Sequence, residues 1–487
     1  MKLDIGKRVK TMIKNWLEIA PAQQQIFTLQ GTKTFEAEVM QAKIWYRGDS
    51  EELSQFFENL NRLGRKTAFW ETAPRDKRIR RIHSGIPAII ADTLAYIVVS
   101  DLDKTDADCE GWERIANTML FNDIVKKGVI GALVCGDGAF KISVDKSLSE
   151  LPIVEFVDGD RVDFEYRRGI LYEIVFKSAW NVGARKYTLC EHYGRGYITS
   201  RLYNENDKEI PLSAVPALAD IEPNVVFDGD YFMAVPLKFY DSPKFENRGR
   251  SIFSGGRSDC FDALDEIVSL WWDAVRAGRV KQYIPESFIP RNPENGSLLP
   301  FDAFGNEYIT VNPPITEGVD NQRITTVQPD IKYEAFVTSY TNALLMCLQG
   351  LISPATLGID VGKMSSADAQ REKKDVTGST RNVITGALET ALPELISAIL
   401  KTCDNMREKT PRDYDASVSF GEYGAPDFDS RVETVGKAAQ FGIMSVEKQV
   451  DELWGSSLDD EEKAAEVGRI KAEKGIADVS EPTFAEV

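Results

Sequence analysis

Histidine is almost missing from this chain of 487 residues: there are two, His83 and His192, far apart in sequence. A metal site rich in imidazoles is thereby excluded, and nucleophilic triads have few bases to choose from. Cysteine is sparse too. The six, Cys109, Cys135, Cys190, Cys260, Cys347 and Cys403, are scattered and make no Cys-x-x-Cys pair. The expectation is buried free thiols in a reducing compartment. Long apolar runs are lacking: Ile86–Val99 is interrupted by Pro87 and Asp92 and is too short to span a bilayer. The stretch Met1–Leu17 is basic and amphipathic, without the apolar centre or small-residue cleavage site of a signal peptide. A cytosolic product with no membrane partner, or part of something assembled there, is expected. Positive charge is in deficit. Lys and Arg number 58 against 76 Asp and Glu, a net charge of −18. A protein that coats nucleic acid by neutralising phosphates is basic, so if DNA is involved this protein must tolerate or guide it.

Phosphate-binding loops are missing as well. The segment Gly358 to Met364 has three residues between its glycines and Met after Lys363, where a Walker loop needs four and then Ser or Thr. Gly136-Asp137-Gly138 lacks the third glycine of a dinucleotide fingerprint and reads as a turn. No catalytic, cofactor-binding or metal-ligating set is expected, although carboxylates are numerous enough to pair in space.

What is present is a globular composition, 43% hydrophobic and 28% charged, enough for two to four domains of roughly 150 residues. Up to residue 150 the pattern is mainly helical: Leu53, Phe56, Phe57, Leu60 and Leu63 form one stripe, and Trp112–Val134 reads as one helix. Residues 139–240 alternate in period two, as in Phe140, Ile142, Val144 and Tyr172, Ile174, Phe176, and predict antiparallel hairpins. Then come a helix over 257–279, a Pro-rich insert over 282–330 with a strand at Tyr308–Val311, a helix over 332–350, and a long helix over 366–406. Pro393 lies inside the last and predicts a kink. Its stripe is Val376, Val383, Ile384, Ala387, Leu388, Leu392, Leu395, Ile396 and Leu400. Residues 407–487 are acidic and helical. The fold class expected is α+β, mainly helical, with an antiparallel β region.

Three features stand out. Asp259, Asp262, Glu266 and Asp273 are separated by three, four and seven residues, which places them on one helix face. That face is either an ordinary solvated one or a negative wall turned toward something that must not stick. A basic cluster, Arg62, Arg65, Lys66, Arg75, Lys77, Arg78, Arg80 and Arg81, is interrupted by Phe69-Trp70. It can touch nucleic acid or an acidic face of a neighbouring subunit, and the net charge favours the subunit. A loop over Ser353–Ser365 leads to a capping box of Ser365 and Asp368.

Taken in order, five short motifs resemble the portal proteins of tailed bacteriophages, of the siphophage type, over nearly the whole chain. They are Trp45-Tyr-Arg-Gly-Asp49, Gly136-Asp-Gly-Ala-Phe-Lys141, Gly249-Arg-Ser-Ile-Phe253, Ser365-Ser-Ala-Asp368 followed by Gln370-Arg-Glu-Lys-Lys374, and Phe441-Gly-Ile-Met-Ser445. The resemblance implies a ring, usually a dodecamer, at one capsid vertex of a virion assembled in the host cytoplasm. Its channel passes double-stranded DNA in during packaging and out at ejection, and it performs no chemistry. Implied partners are a terminase motor, major capsid and scaffolding proteins, and a head-tail connector. Residues 1–249 correspond to a wing with its β region, 250–279 and 332–352 to two stem helices, and 280–331 to a clip. Residues 353–365 correspond to a tunnel loop, 366–406 to a wing helix and 407–487 to a crown. Asp259, Asp262, Glu266 and Asp273 would line the channel; Leu357, Asp360 and Lys363 would sit in the tunnel loop; Phe288, Leu298, Leu299, Phe301 and Phe304 would form the docking surface of the clip. An acidic sleeve repels the duplex from all sides and keeps it centred. The competing classes are a carboxylate-dependent DNA-processing enzyme and another ring-forming head-tail adaptor.

Overall fold

The computed structural model describes residues 34–61, 69–72, 79–279, 281–285, 307–311, 325–359, 367–421, 428–454 and 460–475, with Pro293 and Gly296. Helix α1, Phe35–Arg47, starts at Thr34, whose hydroxyl accepts from the Ala37 N–H at 3.3 Å, and stops at a left-handed Gly48. Asp49 starts α2, Ser50–Asn61, by accepting the N–H groups of Glu51 and Glu52 at 2.7 and 3.0 Å. The motif Trp45–Asp49 is thus a helix-to-helix joint: Trp45 fills the core, Gly48 ends one helix, and Asp49 begins the next. After the single turn α3, Phe69–Thr72, comes α4, Ile86–Ser100, whose Ile90, Ala91, Leu94, Ala95 and Val98 are wholly buried.

Strand β1, Leu102–Ala107, precedes α5, Trp112–Met119, and α6, Phe121–Cys135. The sequence reads Trp112–Val134 as one helix; the structure divides it at Leu120, which adopts φ 53°. The break separates amphipathic α5 from α6, whose second half, Gly128–Cys135, is apolar and almost wholly buried. The β region follows: β2 Asp137–Ser143, β3 Ile153–Asp158, β4 Val162–Arg167, β5 Ile170–Val182, β6 Arg185–Gly194, β7 Tyr197–Asn204, β8 Glu209–Ile210, β9 Asn224–Val226 and β10 Ala234–Lys238. It forms two antiparallel sheets. One has the order β10-β2-β3; the other runs β4-β5-β6-β7-β8, with β9 on β7. One face of the larger sheet buries Ile174, Phe176, Leu189, Tyr193 and Leu202, the period-two signature of the sequence.

Helix α7, Arg257–Ala277, leads to β11, Lys281–Pro285, which pairs parallel with β12, Glu307–Val311, and antiparallel with β13, Thr325–Val327. The strand expected at Tyr308–Val311 is therefore present. Helix α8, Tyr333–Leu348, returns to a short turn at Pro354–Leu357. The long α9, Ala367–Met406, stays helical through Pro393. Its part over Val376–Met406 is long and apolar enough to cross a membrane, yet more than half buried inside the protein. Ile384, Leu388, Leu392, Leu395, Ile396 and Leu400 make the core stripe; Val376 and Val383, expected in it, are exposed. The final part is not purely helical. Strand β14, Ala416–Phe420, pairs antiparallel with β1 across some three hundred intervening residues, ahead of α10 Phe428–Gln440, α11 Val446–Trp454 and α12 Asp460–Lys474. Buried Arg381 fastens this join. It donates to Asp101 Oδ2 at 2.8 Å and to the Gly421 carbonyl.

Candidate functional site

The region from α7 to α8 is a helical hairpin whose two arms are packed by aromatic rings. Trp271 stacks on Phe336 at 6.3 Å between ring centres, and Tyr340 lies 6.4 Å from the same indole. At the other end Arg257, in the first turn of α7, donates to the carbonyls of Cys347 (2.7 Å) and Gln349 (3.1 Å). These are the last carbonyls of α8, which have no partner within their own helix, and a cation is favoured there. Burial holds the Arg257 guanidinium below its usual pKa. Packing one arm against the other covers only the facing sides. Leu270, Trp272 and Val275 on α7, with Tyr333, Val337, Leu345 and Met346 on α8, stay exposed; Trp272 and Met346 are each 58% exposed.

The acidic face of α7 is split. Asp259 and Glu266 are exposed, in a stripe with Ala263 and Leu270. Asp262 is not. The expectation that it lines an open channel wall is corrected: it is buried, with Oδ2 accepting the Phe69 N–H at 2.6 Å and Oδ1 the Trp70 N–H at 3.1 Å. At about 100° per residue it lies about 40° round the helix from Glu266. That rotation is enough to carry it under α3, a segment nearly two hundred residues away in sequence. Burial pushes its carboxyl up to about 6, although the two N–H groups pull the other way; Asp265 and Glu266 add to the rise. Asp273 is half-buried and shares a small surface hollow with Arg80, Trp272 and Arg276.

Asp265, not singled out from sequence, is the most deeply bound acid of the helix. Its carboxylate, fully buried, takes Trp70 Nε1–H at 3.1 Å and the Ser84 N–H at 2.8 Å, and meets His83 Nδ1 at 2.7 Å. One turn on, Ser269 Oγ accepts the Ile82 N–H at 3.0 Å. Buried acids and a serine at 262, 265 and 269 therefore serve as a row of acceptors for residues 69–70 and 82–84. This part of the face is therefore neither a solvated surface nor a wall turned to an open channel, but a buried contact. Arg81 belongs to the same assembly: it donates to the Trp70 carbonyl at 2.8 Å and lies over the Phe69 and Trp70 rings. Arg80 is exposed. The other six basic residues of the cluster lie outside the described residues.

The root of α7 is fixed by a second joint that brings two sequence motifs together. Arg248 grips Asp137 with two bonds, Nε to Oδ2 at 3.0 Å and Nη2 to Oδ1 at 2.8 Å, and also donates to the carbonyls of Val162 and Gly159. The Gly249 N–H donates to Asp137 Oδ2 at 2.6 Å. Gly136 has φ 98°, and a Cβ on Gly249 would collide with the Gly136 carbonyl. Glycine at both 136 and 249 is thus required by a backbone-to-backbone contact, not by phosphate. Phe253 then packs edge-on to Phe261 and leads into α7. The fork matches carboxylate geometry in a way a lysine does not.

No family model matches the chain, and no curated protein does. Solved structures do resemble it. The chain is similar to one in the neck of a native gene transfer agent particle computed with C12 symmetry: TM-score 0.40, 12% identity, covering 83% of this chain and 96% of that one. It is similar to one in the virion of the native gene transfer agent particle: TM-score 0.35, 11% identity, covering 96% and 99%. A third is in the neck of the empty particle computed with C6 symmetry, at TM-score 0.34 and 12% identity over 84% and 97%.

Of the expected tunnel-loop residues, Leu357 ends the turn Pro354–Leu357 and packs partly on the core, while Asp360 and Lys363 lie outside the described residues. So do Phe288, Leu298, Leu299, Phe301 and Phe304 of the expected docking surface, and Ser365 of the capping box. In Phe441–Ser445 the structure places Phe441 and Ile443 in the open, 77% and 79% exposed, between α10 and α11. Residues missed from sequence are Asp137, Arg248, Arg257 and Asp265. An isolated Asp or Arg carries no spacing signal; the one clue was that Asp137 sits between glycines at the start of a strand.

Proposed function

We propose that this chain is the subunit of a ring of portal type, a non-enzymatic virion component through which double-stranded DNA passes at a capsid vertex. The observation that carries the reading is the hairpin α7–α8. It is rigidly stapled inside, yet its flanks leave aromatic and aliphatic side chains in water on both arms. A closed ring covers two opposite flanks of each subunit with the same surfaces of its neighbours, which makes such residues useful. The five sequence motifs that resemble the portal family fit the same reading.

Within it, the channel wall is assigned to the exposed acids Asp259 and Glu266, with Asp273 at its edge. Asp262 is dropped. Stacked along α7 and repeated round a ring, these carboxylates keep phosphates off the wall, and at a screening length of about 8 Å they still act on a passing duplex. Residues 280–331 are assigned to the clip for motor and connector, and residues 353–365 to the tunnel loop.

Mass measurement in solution, with negative-stain images, tests the ring. The full chain is expected to form a closed oligomer, and Trp272→Asp with Val337→Asp to give a folded chain of lower mass. A wild-type chain that stays monomeric at every salt and protein concentration overturns the reading.

A further inference from the structure

Away from the hairpin, the larger sheet carries a cluster that the portal reading does not use. Glu165 on β4 stands directly opposite Glu173 on β5 in the strand register, at the point where a bulge follows Glu165. His192 on β6 stands diagonally beyond, with Nδ1 3.1 Å from Glu173 Oε2. One donor atom from each of the three side chains lies within 4.8 Å of the other two. All three project from the polar face of the sheet, opposite the face that buries Ile174 and Phe176.

Like charges placed directly across two strands destabilise a sheet unless something compensates them. Other acids of this sheet are compensated in the ordinary way, one of them from β2 of the smaller sheet. Lys177 pairs with Asp163, and Lys141 with Glu191 at 2.6 Å. For Glu165 and Glu173, no Lys or Arg stands within ion-pair distance among the described residues; His192 is the partner on hand. A phenol also holds one of the carboxylates in place. Tyr197 Oη donates to Glu173 Oε1 at 2.5 Å. It reaches that far because Gly194, its cross-strand partner, has no Cβ; one there would collide with the phenol ring. The phenol fixes the carboxylate and leaves its second oxygen and the imidazole turned to each other.

We propose that Glu165, Glu173 and His192 form a binding site for a divalent transition-metal cation, with Zn²⁺ the preferred ion, that clamps β4, β5 and β6 together. Two carboxylates and one imidazole are a donor set that suits Zn²⁺ or Mn²⁺. The nitrogen donor disfavours Mg²⁺ and Ca²⁺, which take oxygen. The three ligands come from three strands, separated by eight and nineteen positions, so the ion adds a cross-link that the backbone ladder alone lacks. Its role is structural, on the outside of the sheet, and independent of the ring reading.

The test is titration of the full-length chain with ZnCl₂ by calorimetry, with thermal unfolding read in parallel and MgCl₂ as the comparison. The expected result is one Zn²⁺ per chain and a raised unfolding midpoint with Zn²⁺ but not with Mg²⁺. Glu165→Gln and His192→Asn should each weaken binding at least about tenfold and abolish the shift in midpoint. Both positions are partly or fully open to solvent, and circular dichroism checks that the variants fold. Cys190 lies two residues from His192 on the same face of β6, so Cys190→Ser is the necessary control and should bind Zn²⁺ as the natural chain does. Absence of saturable binding, binding that both ligand variants retain, or binding lost only in Cys190→Ser overturns the proposal.

Discussion

Asp262 offers a sharp test of the packing at the base of α7. Replacing it by Asn removes the titrating carboxyl and keeps the shape. The carboxyl sits at about 6 in the folded chain, against an ordinary value of 3.8. A rise of about two units corresponds to about 3 kcal/mol between the two protonation states. The sign follows from linkage. The folded state holds this proton more tightly than the unfolded one, so the contribution is fully present below about pH 4 and is lost as pH rises through about 6. The stability of the natural chain, measured against that of Asp262→Asn, should therefore grow by about 2.5 kcal/mol between pH 8 and pH 4. Every other titrating group is common to the two chains and cancels to first order. The Asn chain also has a fixed cost, because its amide N–H₂ confronts one of the two backbone donors at Phe69 and Trp70. That cost does not depend on pH. Urea unfolding followed by tryptophan fluorescence at four or five pH values supplies the difference. A flat difference refutes the dominance of burial. A difference of opposite slope would mean that the two backbone N–H groups outweigh it and hold the carboxylate ionised.

Two further outcomes concern the joint between sheet and hairpin. Arg248→Ala leaves the Asp137 carboxylate, 1% exposed, without its guanidinium and should cost about 3–5 kcal/mol in urea unfolding; a loss under about 1 kcal/mol would show that Asp137 is satisfied otherwise. Gly249→Ala places a methyl group against the Gly136 backbone, whereas Gly256→Ala meets nothing within 4 Å, so soluble yield and unfolding midpoint should fall for the first and barely change for the second.

The sequence by itself determined the elements that rest on local periodicity. The α+β class, the period-two hairpins of 139–240, the two helices round a Pro-rich insert and the strand at Tyr308–Val311 all follow from side-chain periodicity, 2 for strands and about 3.6 for helices, which neighbours in sequence impose. It also gave the acidic residues of α7 their common helical side, since 3.6 residues per turn fixes that without tertiary contacts. Which part of that side meets water was decided elsewhere. Phe69, Trp70 and His83 reach α7 only in three dimensions, and they convert Asp262 and Asp265 from surface charges into buried acceptors. The break at Leu120 and the pairing of β1 with β14 are likewise choices of tertiary packing, for which adjacent residues carry no pattern. So is the Arg248–Asp137 fork, and so is the Glu165, Glu173 and His192 cluster. Two histidines in 487 residues rule out a site made of many imidazoles. They leave open a site in which three strands bring one imidazole and two carboxylates together, because sheet register joins residues whose spacing along the chain has no meaning until the strands pair.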